Sequence, residues 1–542
     1  MRTYRYCWRV ALCSSLLGVQ GVGAANYHAQ PRDVRAPLAR IVVAPDKPGA
    51  LIPSDFTGLS IEYPAVGAYL GTDPAYPNTI FRRLLTNLGL GSLRIGGDSQ
   101  DTSCWSPPNS SDRTGCAFTI TPSLPRVVFS TATATGWRAL MGINLAINDP
   151  SAARAYVTNG LLPASMSNVN NLLGLELGNE PDIYSQHRLR SSSYSVAHYL
   201  NDVKGYVAML KGDARTAAVP LVGPAFVTQD WDRHVGRFVS TVGARNLAFL
   251  TLHYYPFSAC SIPSAAGATD AALLSEGVMS SLYQRFSHDS AVARSYGLPL
   301  RLDETNSVSC HGKAGVSDSF AAALWGLDVL FTLAHAGLRG VNFHIYDLDR
   351  SPGHYNPIVS MVQRTAPTTW VYATTVRPLY YAMLLFRNAV GYRFLSVTMS
   401  NARANIKAYA VSDRTTVRVF VLNKDTNAAG SVIIAPSRVR GTATITYLRA
   451  PTLSSTTETT LGGQVVDRGT GTFPHPHTLT LKPDPVSGAY RVPIPVVSVA
   501  MVTLRLKSAP SFLGFVRSHR QPMPDVDNLP QRRKWTEWGG PI

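Results

Sequence analysis

Residues 173–182 read LGLELGNEPD: an apolar run through Leu173, Leu175 and Leu177 that passes directly into Asn179, Glu180 and Pro181. The run is short and apolar enough to be buried, yet it stops on a carboxylate, a group that needs polar surroundings. Seven other runs between residues 56 and 346 share this build. They are FTGLSIEY (56–63), GSLRIGG (91–97), RALMGINLA (138–146), VPLVGPAF (219–226), AFLTLHYY (248–255), LPLRLDET (298–305) and RGVNFHIY (339–346). Each is rich in Leu, Ile, Val or Phe and is bounded by turn-forming residues. Eight is the number a closed parallel barrel needs. Between several runs the spacing is helical, as in residues 191–212 and 317–337, the second with Ser317 as N-cap and Gly337 as C-cap. The expected fold class is therefore α/β, a (β/α)8 barrel. A doubly wound open sheet would alternate in the same way, but polar residues collect at the C-terminal ends of most runs, where barrels build their sites.

Working outward, the pattern changes after about residue 386 to short alternating segments such as NIKAYAVS, TTVRVFVLN, TATITYLR and VSVAMVTLRL. Strands without helices predict a β-sandwich. The expected division is a signal peptide at 1–25, a strand at 38–52 that joins the sandwich, the barrel at 53–385, the sandwich at 386–507 and a disordered basic tail at 508–542. The signal reading rests on Arg2, Arg5 and Arg9, an apolar stretch from Val10 to Val22, and small residues at Gly23, Ala24 and Ala25. It predicts a secreted or periplasmic protein, with an uncleaved N-terminal anchor as the alternative. No later apolar run reaches about 18 residues, so no transmembrane segment is expected.

Of 542 residues, 45% are hydrophobic and 15% charged, a balance that excludes a largely disordered chain. The formal net charge of +17 favours encounter with polyanions, acidic polysaccharides among them, and is equally in keeping with a solubility feature of a basic proteome. No nucleic-acid motif accompanies it, and no nucleic-acid partner is expected. Cys7 and Cys13 fall inside the leader. The remaining four cysteines allow three pairings. Cys104 and Cys116 flank the turn-rich SPPNSSDRTG and so close a local loop, whereas Cys260 and Cys310 either form a second bridge or stay free thiols. No close Cys or His pair has zinc-ligand spacing, and neither a metal nor an organic cofactor is expected.

Glu180 ends the fourth run, where partial desolvation raises a carboxyl toward the range of a useful proton donor. Glu304, in LPLRLDETNS (298–307), ends the seventh in the same way. Its neighbour Asp303 should point to the opposite side of a regular strand, leaving one of the two to face the barrel axis, and the barrel-end position favours Glu304. Two such acids serve retaining glycoside hydrolysis, in which one protonates the leaving oxygen and the other attacks the anomeric carbon.

The segments GLSIEY, LRIGGDSQD, LELGNEPD, LHYYP, LDETNS and GVNFH, in order over residues 56–344, resemble glycoside hydrolase family 79 of clan A, which holds β-glucuronidases and heparanase-like enzymes. The resemblance implies that Glu180 is the acid/base and Glu304 the nucleophile, and that Asn179 binds the hydroxyl next to the reacting carbon. It also implies that Tyr255 orients Glu304, that Arg94 keeps it ionised, and that Glu62 and Asp98 recognise sugar hydroxyls, each with a capping acid as its alternative role. Where the family holds the uronate carboxylate, this chain departs, with Ser309, Cys310 and His311 in SVSCHGKAGVSD. Lys313, His344 or Tyr355 are the expected substitute donors, and His344 could equally satisfy a backbone group at the rim. The expected substrate is an oligo- or polysaccharide, cleaved to release β-linked glucuronic acid. An endo-acting glycosaminoglycan or glucuronan hydrolase is the competing enzyme, and a non-catalytic carbohydrate-binding surface protein the competing class.

Overall fold

The structure, a computed structural model, describes residues 36–106, 116–165, 169–347, 352–366, 369–400, 402, 404–437, 439 and 441–506. The leader read at 1–25 and the tail read at 508–542 lie outside the described residues.

All eight runs are strands of one closed parallel barrel: Thr57–Glu62, Ser92–Gly96, Arg138–Ile143, Leu172–Leu177, Leu221–Phe226, Leu247–Tyr254, Leu300–Thr305 and Gly340–Ile345. The eighth closes on the first through the pairs Val341 to Thr57 and Ile345 to Ile61. Strand alternation sorts the side chains into two environments. Leu59, Ile61, Leu93, Ile95, Leu175 and Leu177 join the apolar core shared with the surrounding helices. Ser60, Arg94, Glu176, His253, Arg301 and Asn342 are equally buried but polar. A polar lumen is tolerable only when its groups pair. At its lower end Arg301 donates to Asn342 Oδ1 (2.7 Å) and Ser92 Oγ (2.5 Å). Gly58 completes this layer, since a Cβ there would lie 2.4 Å from Ser92 Oγ.

The helix expected over 317–337 runs Phe320–His335, and its N-cap is Ser319, not Ser317. Ser317 Oγ is already occupied: it accepts from the backbone N–H of Lys313 and the hydroxyl of Ser307, closing the loop behind Glu304. The helix expected from 191 begins only at Val196. Two elements inside the stretch read as barrel were not foreseen. A hairpin, Ile358–Ala366 with Thr369–Val376, is tied down by Asn78, whose amide donates to Ser360 Oγ and Thr374 Oγ1, both at 3.0 Å. A helix, Pro378–Phe386, is buried at every position, which explains its lack of a polar face.

The second layer is a ten-stranded sheet in which the first strand, Ala39–Leu51, lies between Arg393–Ser400 (antiparallel) and Gly430–Pro436 (parallel). Its path curls over its own core, which includes Ile41, Val419, Val432 and Val502. Tyr447 near one end of the path donates to the carbonyl of Pro493 at the other (2.7 Å), as in a sandwich.

Candidate active site

The upper end of the lumen is organised by Arg94. Its guanidinium, fully buried on the second strand, donates to Glu176 Oε2 (2.7 Å), Ser60 Oγ (3.0 Å), Glu304 Oε2 (2.5 Å) and Asn179 Oδ1 (2.7 Å). One cation thus links the fourth strand, which ends at Asn179 and Glu180, to the seventh, which ends at Glu304. Its planar fork is what lets one side chain satisfy several acceptors.

Glu180 stands in the left-handed backbone region (φ 49°, ψ 52°), just after Gly178 (φ 82°), so the chain turns sharply at the acid. Such a conformation is costly for a side-chain-bearing residue and is held here by neighbours. The amide of Glu180 donates to Ala225 (3.1 Å), and Asp101 accepts from the amides of Asn179, Leu145 and Ala146 and from Tyr184 Oη. Burial pushes the Glu180 carboxyl up to about 8, helped by the charges of Glu304 and Asp98 and opposed by His253, whose Nδ1 lies 2.8 Å from Oε1.

Glu304 has the opposite environment. Burial alone would raise it, but the charges of His344, His253 and Arg94 and a hydrogen bond from Tyr255 Oη (2.8 Å) hold it down to about 2. An oxygen of Glu180, a nitrogen of His253 and an oxygen of Glu304 all lie within 4.8 Å of one another. The expectation that only one of Asp303 and Glu304 faces the axis is corrected. Asp303 is inward by the same alternation as Arg301, and both are buried. A β-bulge, seen as register shifts after Leu302 on both sides of the seventh strand, resets the phase and brings Glu304 to the mouth as well.

The remaining candidates divide. Tyr255 and Tyr355 lie with ring centroids 6.2 Å apart, and Tyr355 also packs on His344 (5.9 Å). His344 bridges acids: Nε2 lies 3.3 Å from Glu62 Oε1, and Nδ1 lies 3.5 Å from Glu304 Oε2 and 3.1 Å from Ser60 Oγ. Asn179 donates to Asp98 Oδ1 (3.3 Å). Glu62 takes the capping role, accepting from the amides of Asp98 (3.0 Å) and Ser99 (2.8 Å) and from the Ser99 hydroxyl, so both of its oxygens serve the turn. His311 is exposed and stacks on Tyr346 at 3.6 Å. Lys313 is drawn away from the role of uronate donor. Its ammonium donates to the carbonyls of Ala265 (2.8 Å) and Ala268 (2.7 Å) at the end of the short helix Ile262–Gly267, whose last carbonyls need a cation.

Cys104 bonds to Cys116 and Cys260 to Cys310. The second bridge, beside the pairing of Phe257–Ser258 with Val308–Ser309, fastens the segment after Tyr255 to the segment after Glu304. Among the described residues two sets of donors are spaced for a cation, Glu176 with His253 and Asp303, and Glu180 with His253 and Glu304. A metal ion in either set would meet the Arg94 guanidinium, which lies 2.6 Å from Glu176 and 2.5 Å from Glu304, so these acids suit a guanidinium better than a second cation. His253 is the main site residue that sequence reading passed over. It lies in the LHYYP segment two residues from Tyr255, and period-2 alternation already places the two on one face.

Barrel, companion sandwich and a carboxylate pair on the fourth and seventh strands are the layout that the resemblance to family 79 of clan A implies. The resemblance to family 79 within that clan has two further supports. The chain is 26% identical over 371 residues to a beta-glucuronidase of Aspergillus niger, covering 62% of this chain and 66% of that one. It is 25% identical over 371 residues to a beta-glucuronidase of Neurospora crassa, covering 60% and 62%. The matched part spans just under two thirds of the length of these curated relatives. No protein-family model matches. In fold the chain is similar to a 4-O-α-L-rhamnosyl-β-D-glucuronidase from Fusarium oxysporum 12S (TM-score 0.68, 19% identity, 85% of this chain and 98% of that one). It is also similar to a GH51 arabinofuranosidase from Xanthomonas axonopodis pv. citri (TM-score 0.60, 14% identity, 86% and 100%). No helix among the described residues is long and apolar enough to cross a membrane.

Proposed function

We propose that the chain is a secreted retaining glycoside hydrolase that releases β-linked glucuronic acid, with Glu180 as acid/base and Glu304 as nucleophile. The observation that carries this reading is the split between two carboxyls within 4.8 Å of each other, one pushed up to about 8 and the other held down to about 2. Retaining enzymes keep their pair roughly 5 to 5.5 Å apart, whereas inverting ones leave about 6.5 to 9.5 Å for a water. Glu180 then enters the cycle protonated and gives its proton to the leaving oxygen while Glu304 attacks the anomeric carbon. Water, deprotonated by Glu180, hydrolyses the glycosyl-enzyme and restores both acids. The glucuronide assignment draws on the names of the curated relatives. Of the three substitute donors expected for an acidic sugar, Tyr355 and His344 pack together beside Tyr255, whereas Lys313 is engaged elsewhere. Two disulfides suit an oxidising compartment, in keeping with export.

Turnover of an aryl β-glucuronide is the test, with galacturonide, xyloside and glucoside alongside and a glucuronan polymer to detect endo action. Glu180→Ala is expected to lose activity by about two to four orders of magnitude, with azide partly restoring it on activated aryl substrates. Unaltered turnover in that variant sinks the assignment. The pH dependence of kcat/KM follows from the signs. The nucleophile must be ionised, so activity falls as pH drops toward about 2, and the acid must be protonated, so activity falls as pH rises through about 8.

A further inference from the structure

Two lumen groups remain without a role in this mechanism: both oxygens of Asp303 and Nε2 of His253 are buried and lack a well-formed hydrogen bond. They face each other. His253 Nε2 lies 3.4 Å from Asp303 Oδ1, while Nδ1 of the same ring lies 2.8 Å from Glu180 Oε1. The imidazole is therefore a bridge between Glu180 and an acid that is itself fully buried.

We propose that Asp303 is a positioning residue acting through His253: it accepts the Nε2 hydrogen, Nδ1 carries a hydrogen toward Glu180 Oε1, and the transferable proton of Glu180 is thereby kept on Oε2. This rests on the acid/base assignment of Glu180. The Nδ1 hydrogen bond serves both states of the acid. It strengthens when Glu180 gives its proton to the leaving oxygen and relaxes when Glu180 recovers one from water.

Besides His253, the charged groups that act on Asp303 are Glu176, Arg94, Glu304 and Arg301. Arg94, on the second strand, lies 3.9 Å from Asp303 Oδ2 but closer to Glu176 (2.6 Å) and Glu304 (2.5 Å), which engage it first. Glu176, on the fourth, lies with Asp303 and His253 inside a 4.8 Å cluster, and burial pushes its carboxyl well above the usual range. Burial raises the Asp303 carboxyl as well, but its contact with Glu176 and the charge of Arg94 pull it back down, so the proton these two carboxyls share is assigned to Glu176, with Asp303 as the acceptor. Around Glu180 the charged groups are His253, Glu304 and Asp98.

The test is the basic limb of kcat/KM against pH for an aryl β-glucuronide, in wild type, Asp303→Asn, His253→Gln and the double variant. Removing a negative charge through space alone makes Glu180 release its proton more readily and moves the limb down. Removing the fixed Nδ1 hydrogen moves it up. Asp303→Asn is expected to move the limb up by about one unit, within the usual range for loss of a cationic partner, and to have no further effect in the His253→Gln background. Side-chain 15N spectra of His253 should show hydrogen on both ring nitrogens in wild type and on one in Asp303→Asn. A limb that stays put or moves down, or an equal upward shift in the His253→Gln background, overturns the relay. If Asp303→Asn does not fold, a single protonated nitrogen in wild type overturns it instead. Should Glu180→Gln keep the basic limb, the acid/base assignment itself fails. A limb that belongs to Glu180 but ignores Asp303 sinks only the relay.

Discussion

Glu304→Gln is expected to lower kcat on an aryl β-glucuronide by about four orders of magnitude or more if Glu304 forms the glycosyl-enzyme as proposed, because an amide cannot replace the carboxylate as nucleophile. The variant keeps the shape of the side chain, with its amide oxygen accepting from Arg94 and its NH2 donating to Tyr255 Oη, so binding should change far less than kcat. A second consequence follows from the charge. Glu304 is one of the groups that push Glu180 up, so removing it lowers the proton affinity of Glu180, and the carboxyl resonance of Glu180 should titrate at lower pH in the variant. A mechanism-based fluoroglycoside should label wild type at Glu304 and leave the variant unlabelled. Label on any other residue, or turnover within tenfold of wild type, removes Glu304 as nucleophile. Arg94 keeps Glu176 and Asn179 as partners in the variant, which argues for a folded protein and makes the kinetic loss interpretable.

What was legible in the sequence was set by local patterning. Glu180 and Glu304 were readable because each follows an apolar strand, and because the eight runs fixed their order around the barrel. Asp303 was misplaced because alternation assumes a regular strand, and nothing in LRLDET announces a bulge. Lys313 had the right chemistry but was claimed by carbonyls of a helix 45 to 48 residues earlier, a competition that only the fold creates. The cap at Ser319 was missed for the same reason, since Ser317 is spent on the loop. His253 differs: the signal was present in the phase of Tyr255, but histidine in an apolar strand reads as a core residue until its partner acid is known. The links from barrel to sandwich were illegible, because they join residues about a hundred positions apart.

One such link carries the second large effect. Asp328 lies buried on the helix Phe320–His335, and it accepts from Tyr409 Oη (2.5 Å) and from Lys424 Nζ (2.9 Å), with Lys407 Nζ 3.3 Å away. Tyr409 and Lys407 belong to the sandwich strand Ile406–Ser412, and Lys424 follows the next one. Three residues along the same helix Phe331 stacks on Tyr409 (centroids 4.6 Å apart), so a polar clamp and an apolar contact seal one joint. Burial would raise Asp328, but Lys424, Lys407 and Tyr409 hold it below the usual carboxylate range. Asp328→Asn leaves the Lys424 ammonium buried, with the exposed Glu276 at 3.7 Å as its remaining acid. The expected cost is about 3 to 5 kcal/mol, measured by denaturant unfolding at neutral pH. Because the native pKa is depressed, this stabilisation is present above the unfolded value near 3.9 and is lost as pH falls through the native one, so the two proteins should converge in strong acid. Asp328→Asn combined with Lys424→Met should recover part of the loss, since no unpaired charge then stays buried. A change below about 1 kcal/mol in the single variant would show that the joint rests on the apolar contacts alone. The joint also bears on catalysis. The same helix receives its N-terminal partners from the sandwich, with Phe320 N–H donating to Ser455 (2.8 Å) and Ala321 N–H to Leu453 (3.0 Å), directly after the loop that follows Glu304. The sandwich therefore supports the strand that bears Glu304, and Asp328→Asn should lose activity on mild heating before the wild type does, while keeping near-normal kcat/KM in the cold.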